Sequence, residues 1–396
     1  MPVTAVPEVT EVAEATLESH LHPVPSWNLA DHPVPSGREE IWRFTPIERL
    51  RGLLDDGGPS GATLDWVTEL PEGVTFEPVS LDAGRELAVE APVDRVAALA
   101  AQNASYAVHL DVPAGRQVAS PILITGTGRG EDVAEHLVIT VGARASATIV
   151  LRYTGTGTFA DKIDLVVGED ASVTLASIQD WADDAVHGGQ HSVLVGRDAH
   201  VRTVTATLGG DVVRLAETAR FDGPGGELEQ FGLYFVDAGQ HLEHRLFVDH
   251  NEPHTRSRVD YRGALQGEGA HSVWVGDVLI RKAAEGIDTY ESNKNLVLTD
   301  GCRADSVPNL EIETGEIGGA GHSSTTGRFD EEQLFYLMSR GIGADEAKRL
   351  VVEGFFTDIL RRIGVQDLEA SLLDAVRAEL AASVRTTELE HPIGAI

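Results

Sequence analysis

A short phrase recurs through the middle of the chain and restricts what it can fold into. Gly142-Ala-Arg-Ala145-Ser146, Gly168-Glu-Asp-Ala171-Ser172, Gly196-Arg-Asp-Ala199-His200 and Gly267-Glu-Gly-Ala270-His271 share one pattern. Each has Gly, two variable residues, Ala, and then a polar residue entering a β-type run. The first three begin at 142, 168 and 196, steps of 26 and 28 residues, which is the regime of stacked solenoid units. A Gly lets the backbone reverse where other residues would be strained, and the Ala places a small side chain in a narrow corner. Between and beside the phrases lie short apolar or alternating runs, among them His136 to Val141, Ala147 to Tyr153, Ile163 to Val167 and Ser172 to Ile178. Strand, turn and strand, repeated, make the coil of a β-helix. An antiparallel sandwich uses the same short strands and Gly turns and is the competing arrangement.

The pattern changes on either side of this core. Residues 1–36 carry Glu8, Glu11, Glu14 and Glu18 with six prolines between Pro2 and Pro35, and read as a flexible acidic, Pro-rich arm. Residues 37–114 read as a small N-terminal α/β region. In it Ile41, Trp42, Phe44, Ile47, Leu50, Leu53 and Leu54 recur at helical spacing, with Pro46 separating a short turn from a short helix. The β-helix core is expected over 115–320, and a C-terminal helical domain over 321–396. There Asp330 and Gln333 form an Asp version of the capping box, and Leu334, Phe335, Leu337 and Met338 supply an apolar face before Gly341. One further helix is expected through Ala347, Leu350, Val351, Phe355 and Ile359. Another runs through Leu368, Leu372, Val376 and Leu380, a narrow i, i+4 stripe.

Composition excludes several functions. Acidic residues number 63 against 31 basic ones, a net charge of −32, which repels phosphate backbones and anionic lipid surfaces. No nucleic acid and no membrane partner is expected. A single cysteine, Cys302, forms no internal disulfide and fits a reducing compartment. No apolar run reaches the roughly 18 residues of a membrane span, and the arm lacks the basic region of an export signal, so the expected location is cytoplasmic. Phosphate-loop, nucleophile-elbow and His-Glu-x-x-His motifs are missing, so catalysis within the chain is not expected.

Two polar constellations remain. His241, Glu243, His244, Asp249, His250, Glu252 and His254 are the densest, but along a strand His241 and Glu243 share one face while His244 takes the other. A metal site is one reading, and hydrogen-bonded surface and turn groups around Pro253 are the favoured one. The second group is Cys302, Asp305, Glu311, Glu313, Glu316 and His322. His322 follows Gly318, Gly319 and Gly321 in what reads as an accessible Gly-rich loop. Imidazole and carboxylate suit iron, and thiolate suits iron–sulfur clusters. A solvent-exposed role for His322 and an inert, small-hydrophobe role for Cys302 stay open on the residues alone.

The run from Asn295 to Ile312 and the run from Gly321 to Ile342 closely resemble the SufB/SufD family. So do Asp249 to Ser257, Tyr261 to Gly263 and, near the N-terminus, Glu39 to Thr45. The resemblance spans roughly residues 39 to 362 and implies a mainly β fold: a right-handed parallel β-helix between an N-terminal α/β and a C-terminal helical region. It implies iron–sulfur cluster assembly, pairing with a SufB-like paralogue and docking of a SufC-like ABC-type ATPase on the C-terminal helices. A homodimer is an alternative for the isolated chain. His322 falls where SufD-like chains offer a histidine, and two positions earlier stands Ala320, not the cysteine of SufB-like chains. The resemblance therefore implies a SufD-like, non-catalytic scaffold with His322 as a ligand of a nascent cluster. No cofactor is held tightly by this chain alone, and the cluster is transient and shared with the partner. Two rivals remain: a purely architectural subunit without a ligand, and a β-helix carbohydrate lyase or hydrolase.

Overall fold

The computed structural model describes residues 24–59, 61–329, 331–363 and 365–390. Most of the acidic arm, residues 1–23, and the Asp330 helix cap lie outside the described residues. The N-terminal part comprises strands β1 (Asp65–Glu69) and β2 (Thr75–Val79) and helices α1 (Leu81–Leu87) and α2 (Arg95–Asn103). Strands then follow in unbroken succession: β3 (Ala107–Val112), β4 (Ile122–Val141), β5 (Ser146–Val167), β6 (Ser172–Trp181), β7 (Val186–Gly196), β8 (His200–Thr207), β9 (Val212–Asp222) and β10 (Glu227–Val236). The succession continues through β11 (His241–His250), β12 (Arg256–Leu265), β13 (His271–Ile280), β14 (Asp288–Val297), β15 (Arg303–Ile312) and β16 (Gly319–Arg328). Helices α3 (Glu331–Ser339), α4 (Ala344–Ile363) and α5 (Gln366–Glu390) close the chain.

β1 pairs antiparallel with β4, but every ladder among β4 to β16 is parallel, and pairing skips alternate strands: β5-β7-β9-β11-β13-β15 on one side, β5-β6-β8-β10-β12-β14-β16 on the other. The long β4 and β5 turn a corner and serve both sides. This is a parallel β-solenoid, and the antiparallel sandwich is excluded. Its interior holds the large apolar cluster that includes Ile149, Leu165, Val193, Leu215, Val259 and Trp274.

The repeated phrase builds the corners, but its chemistry differs from the sequence expectation. In the first three phrases the leading glycine is not the residue with positive φ; that conformation falls on Arg144, Asp170 and Asp198, third in each, whereas in the fourth both Gly267 and Gly269 adopt it. The glycine is needed for stacking. A Cβ on Gly142 would lie 2.5 Å from the Ala114 nitrogen, and one on Gly168 2.6 Å from the Ala143 nitrogen. Ala145, Ala171, Ala199 and Ala270 are buried in the corners, as expected. The fourth phrase joins β12 to β13 and so sits at the opposite corner from the first three.

The two outer faces are covered differently. Trp42, Leu50, Leu53, Val96 and Ala100 pack on Ala160, Val186 and Val212, so the N-terminal segments cover the β5-to-β15 face. There the residues around Pro46 form two 3-10 turns, Glu40–Trp42 and Ile47–Arg49, in place of a helix. On the other face α4 and α5 pack on Ile178, Val204, Phe231, Phe235 and Ala264. Leu368, Leu372, Val376 and Leu380 are buried as the stripe predicts. The inward face of α4 is rotated from the expected one: Ala347, Val352, Phe356, Ile359 and Leu360 are buried, while Leu350 is exposed. Of the apolar residues expected on α3, Leu334 and Leu337 are half-buried, while Phe335 and Met338 face solvent, 73% and 45% exposed.

Candidate functional site

His322 lies in β16, the final strand of its ladder, and not in a loop. The register explains its placement. Leu175, Thr203, Gln230, Val259, Glu291 and His322 stand directly above one another on successive coils. The column points into the lumen: the first five members are buried or nearly so, and His322, on the terminal coil, emerges with its side chain 43% exposed. The last two members, Glu291 and His322, are the ionisable ones.

Below His322 sits Glu291, 2% exposed. Its carboxylate crosses toward β13, where Gly276 makes room for it: a Cβ there would lie 2.5 Å from Glu291 Oε2. Burial, with the negative charge of Asp277 adding to it, raises the carboxyl to about 8. Glu291 Oε1 has no hydrogen-bond partner and lies 3.9 Å from His322 Nδ1. Sequence reasoning missed Glu291. The signal was available: an acidic residue at an inward position of a strand whose ladder neighbour is Val259.

The other sequence candidates do not converge on His322. Cys302 sits in the turn before β15, its thiol donating to the Gly267 carbonyl at 3.4 Å, and burial raises its pKa. Asp305 binds His271 Nε2 at 2.7 Å, and Glu313 accepts from the Lys282 amide at 3.1 Å. The His241 to His254 constellation splits three ways. His241 and Glu243 do share a face, 3.1 Å apart, with Thr45 and Arg245 also on the Glu243 carboxylate. His244 turns inward to Thr207 Oγ1 at 2.9 Å, and Asp249 pairs with Arg281. His250 binds Thr255 and Ser257.

Among the described residues one trio of ligand-type side chains is compact: the donor atoms of Asp161, His187 and His191 lie within 4.8 Å of one another. A neighbouring indole argues against a metal there. Trp181 Nε1, a donor only, points at His187 Nδ1 at 3.2 Å, which puts the imidazole proton on Nε2, the atom facing Asp161 Oδ2 at 3.2 Å. His191 Nε2 is 3.3 Å from the same oxygen, whose negative charge raises the His191 pKa against the opposing effect of burial. The trio is a buried charge-paired brace between β5 and β7.

No helix among the described residues is long and apolar enough to cross a membrane. The solenoid thus ends in a polar, partly exposed column, and comparison with known proteins places the chain in a family. The family model described as "SUF system FeS cluster assembly, SufBD core domain" matches residues 123–355, more than half of the chain. The chain is 49% identical over 363 residues to an iron-sulfur cluster assembly SufBD family protein of Mycobacterium leprae, covering 90% of this chain and 93% of that one. It is 24% identical over 394 residues to the iron-sulfur cluster assembly protein SufD of Escherichia coli, covering 89% and 90%. SufD of Bacillus subtilis is 25% identical over 297 residues, 72% and 67% of the two chains. Fold and comparisons together define a β-solenoid protein of iron–sulfur cluster assembly. The chain belongs to the SufBD family, with distant similarity to SufD.

Proposed function

We propose that the chain is a SufD-like, non-catalytic scaffold subunit of a SufBCD-type complex in the cytoplasm. It pairs with a SufB-like paralogue through the open end of its solenoid and docks a SufC-like ATPase on its C-terminal helices. His322 contributes one ligand to a cluster that is cargo, built between the subunits and passed on. The observation that carries this reading is the position of His322, exposed at the end of a buried column on the terminal coil. Similarity to SufD over most of both chains supports the choice of paralogue, as does Ala320 two residues before His322. ATP chemistry falls to the neighbour, in keeping with the missing phosphate loop. The exposed Phe335, Tyr336 and Met338 on α3 are a surface suited to that neighbour.

Co-purification of the tagged chain under anaerobic conditions, with mass spectrometry of partners and assays for iron and sulfide, tests the reading. Recovery of a SufB-like chain and a Walker-motif ATPase supports it; recovery of the chain alone and metal-free overturns it. With the complex intact, normal cluster assembly in His322→Ala would leave a purely architectural subunit.

A further inference from the structure

We propose that Glu291 and His322 form a two-donor ligand pair for a divalent first-row metal, so that this chain offers iron a carboxylate and an imidazole together. The inference rests on the scaffold reading above and deepens it at the same site.

Three observations carry it. Position comes first: Glu291 and His322 are directly paired across β14 and β16, so their side chains leave the sheet on the same side, one above the other. Next is an unmet valence. Glu291 is almost wholly buried, yet its Oε1 has no hydrogen-bond partner and faces His322 Nδ1. Buried polar atoms are nearly always satisfied, so an unpartnered carboxylate oxygen beside a partly exposed imidazole marks a place for a third species. Spacing comes third. A metal bonded to one imidazole nitrogen and one carboxylate oxygen at about 2.0–2.2 Å sets those atoms roughly 3–4 Å apart, and the pair stands at 3.9 Å.

The surroundings keep the pair in place. Ser323 Oγ donates to Ser292 Oγ at 3.4 Å one residue along from the pair, pinning the two strands. Gly276 leaves the space the carboxylate occupies, and Trp274 walls it. The donor set, one nitrogen and one oxygen, suits iron(II), cobalt(II) or zinc(II) better than a soft, thiolate-seeking ion. Because His322 is open to solvent, the remaining positions are accessible to water or to donors of a second subunit.

The test uses the full-length chain under anaerobic conditions with iron(II), and with cobalt(II) as a spectroscopic probe, followed by titration calorimetry and visible absorption. Wild type, Glu291→Gln, His322→Ala and the double variant are compared, and thermal melting checks that each is folded. Glu291→Asp, which keeps the carboxylate, serves as a second probe. The expected result is binding of one equivalent that weakens at least tenfold in either single variant, with the double variant no worse than the weaker single and Glu291→Asp intermediate. Wild-type binding by Glu291→Gln together with loss in His322→Ala overturns the pair and leaves His322 as a lone ligand. Equal metal binding by wild type and the double variant also overturns it. Failure of the scaffold reading shows separately, as loss of partner chains from the wild-type preparation.

Discussion

Arg362 on α4 donates to Asp260 on β12 at 2.5 Å, and Arg262, two positions further along that strand, donates in return to Asp358 on the same helix. Arg262 also reaches the Phe355 carbonyl at 2.8 Å. Asp260 and Arg262 are buried, so the exchange is sheltered from water on the solenoid side and locks the helical unit to the sheet. Truncating Arg262 to Ala leaves Asp260 with one cation and removes a donor from a partly buried carbonyl, at a cost of about 1–3 kcal/mol. The loss should be local. Hydrogen exchange is expected to quicken in α4 and α5 while amides of β5 to β9 keep their protection; uniform acceleration throughout would contradict the lock.

The exposed face of α3 makes the opposite prediction. Phe335 and Met338 bury little surface in this chain, so replacing both by Ala should change unfolding free energy by no more than about 0.5 kcal/mol. If the ATPase neighbour covers them, its recovery in co-purification should fall sharply while recovery of the SufB-like chain is kept. Unchanged recovery of the ATPase would move the docking surface elsewhere on the helical unit.

Two tyrosines and two glycines pair reciprocally inside the solenoid. Tyr261 lies over Gly232 and Tyr234 over Gly263, on adjacent strands in register. A Cβ on Gly232 would come 2.0 Å from the Tyr261 ring, and one on Gly263 1.8 Å from that of Tyr234. Neither ring can retreat, because Tyr261 Oη donates to Glu217 and Tyr234 Oη to Asn295. Gly232→Ala should therefore destabilise the protein by about 1–3 kcal/mol, the ordinary cost of overpacking, measured by urea denaturation. A change within experimental error would show that the ring has somewhere to go.

The coil was legible because its determinants are local. A small residue in each corner and a run of inward apolar side chains repeat in sequence as they do in space, so the phrase at 142, 168 and 196 announces the solenoid. What it could not announce was which neighbour the glycine meets. Gly142 is held to glycine by Ala114 in the coil beneath, a contact set by stacking and not by the phrase itself. The same limit applied to the site. His322 was found through its resemblance to a known segment, but Glu291 lies 31 residues earlier and joins it only through the register of β14 with β16. Helical spacing likewise marked α4 while misplacing its inward face, since Leu350 and Val352 differ by two positions and only the sheet decides which is covered.

Glu135 governs the pH dependence of stability through a sign opposite to that of two histidines. Its Oε1 accepts from the Leu64 amide at 3.3 Å and Trp66 Nε1 at 3.1 Å, and burial, with Asp161 nearby, raises its pKa to about 8. The folded value lies above the ordinary 4.5, so its contribution is fully present below 4.5 and is lost as pH rises through 8. His244 and His250 are pushed down to about 3 by burial. Their contribution is present above 6.5 and is lost as pH falls toward 3. Glu135→Gln can keep an oxygen acceptor for Leu64 and Trp66 while removing the titration. Relative to wild type, the variant should gain about 2–3 kcal/mol of stability between pH 5 and pH 7 and about 1 kcal/mol more between pH 7 and pH 9. The wild-type profile should therefore fall more on the alkaline side than the variant's, and the variant, with Glu291 left to oppose the histidines without Glu135, should lose stability more steeply in acid. Urea midpoints across that range decide the matter, and parallel profiles for the two proteins would mean that Glu135 is already ionised in the folded chain at neutral pH.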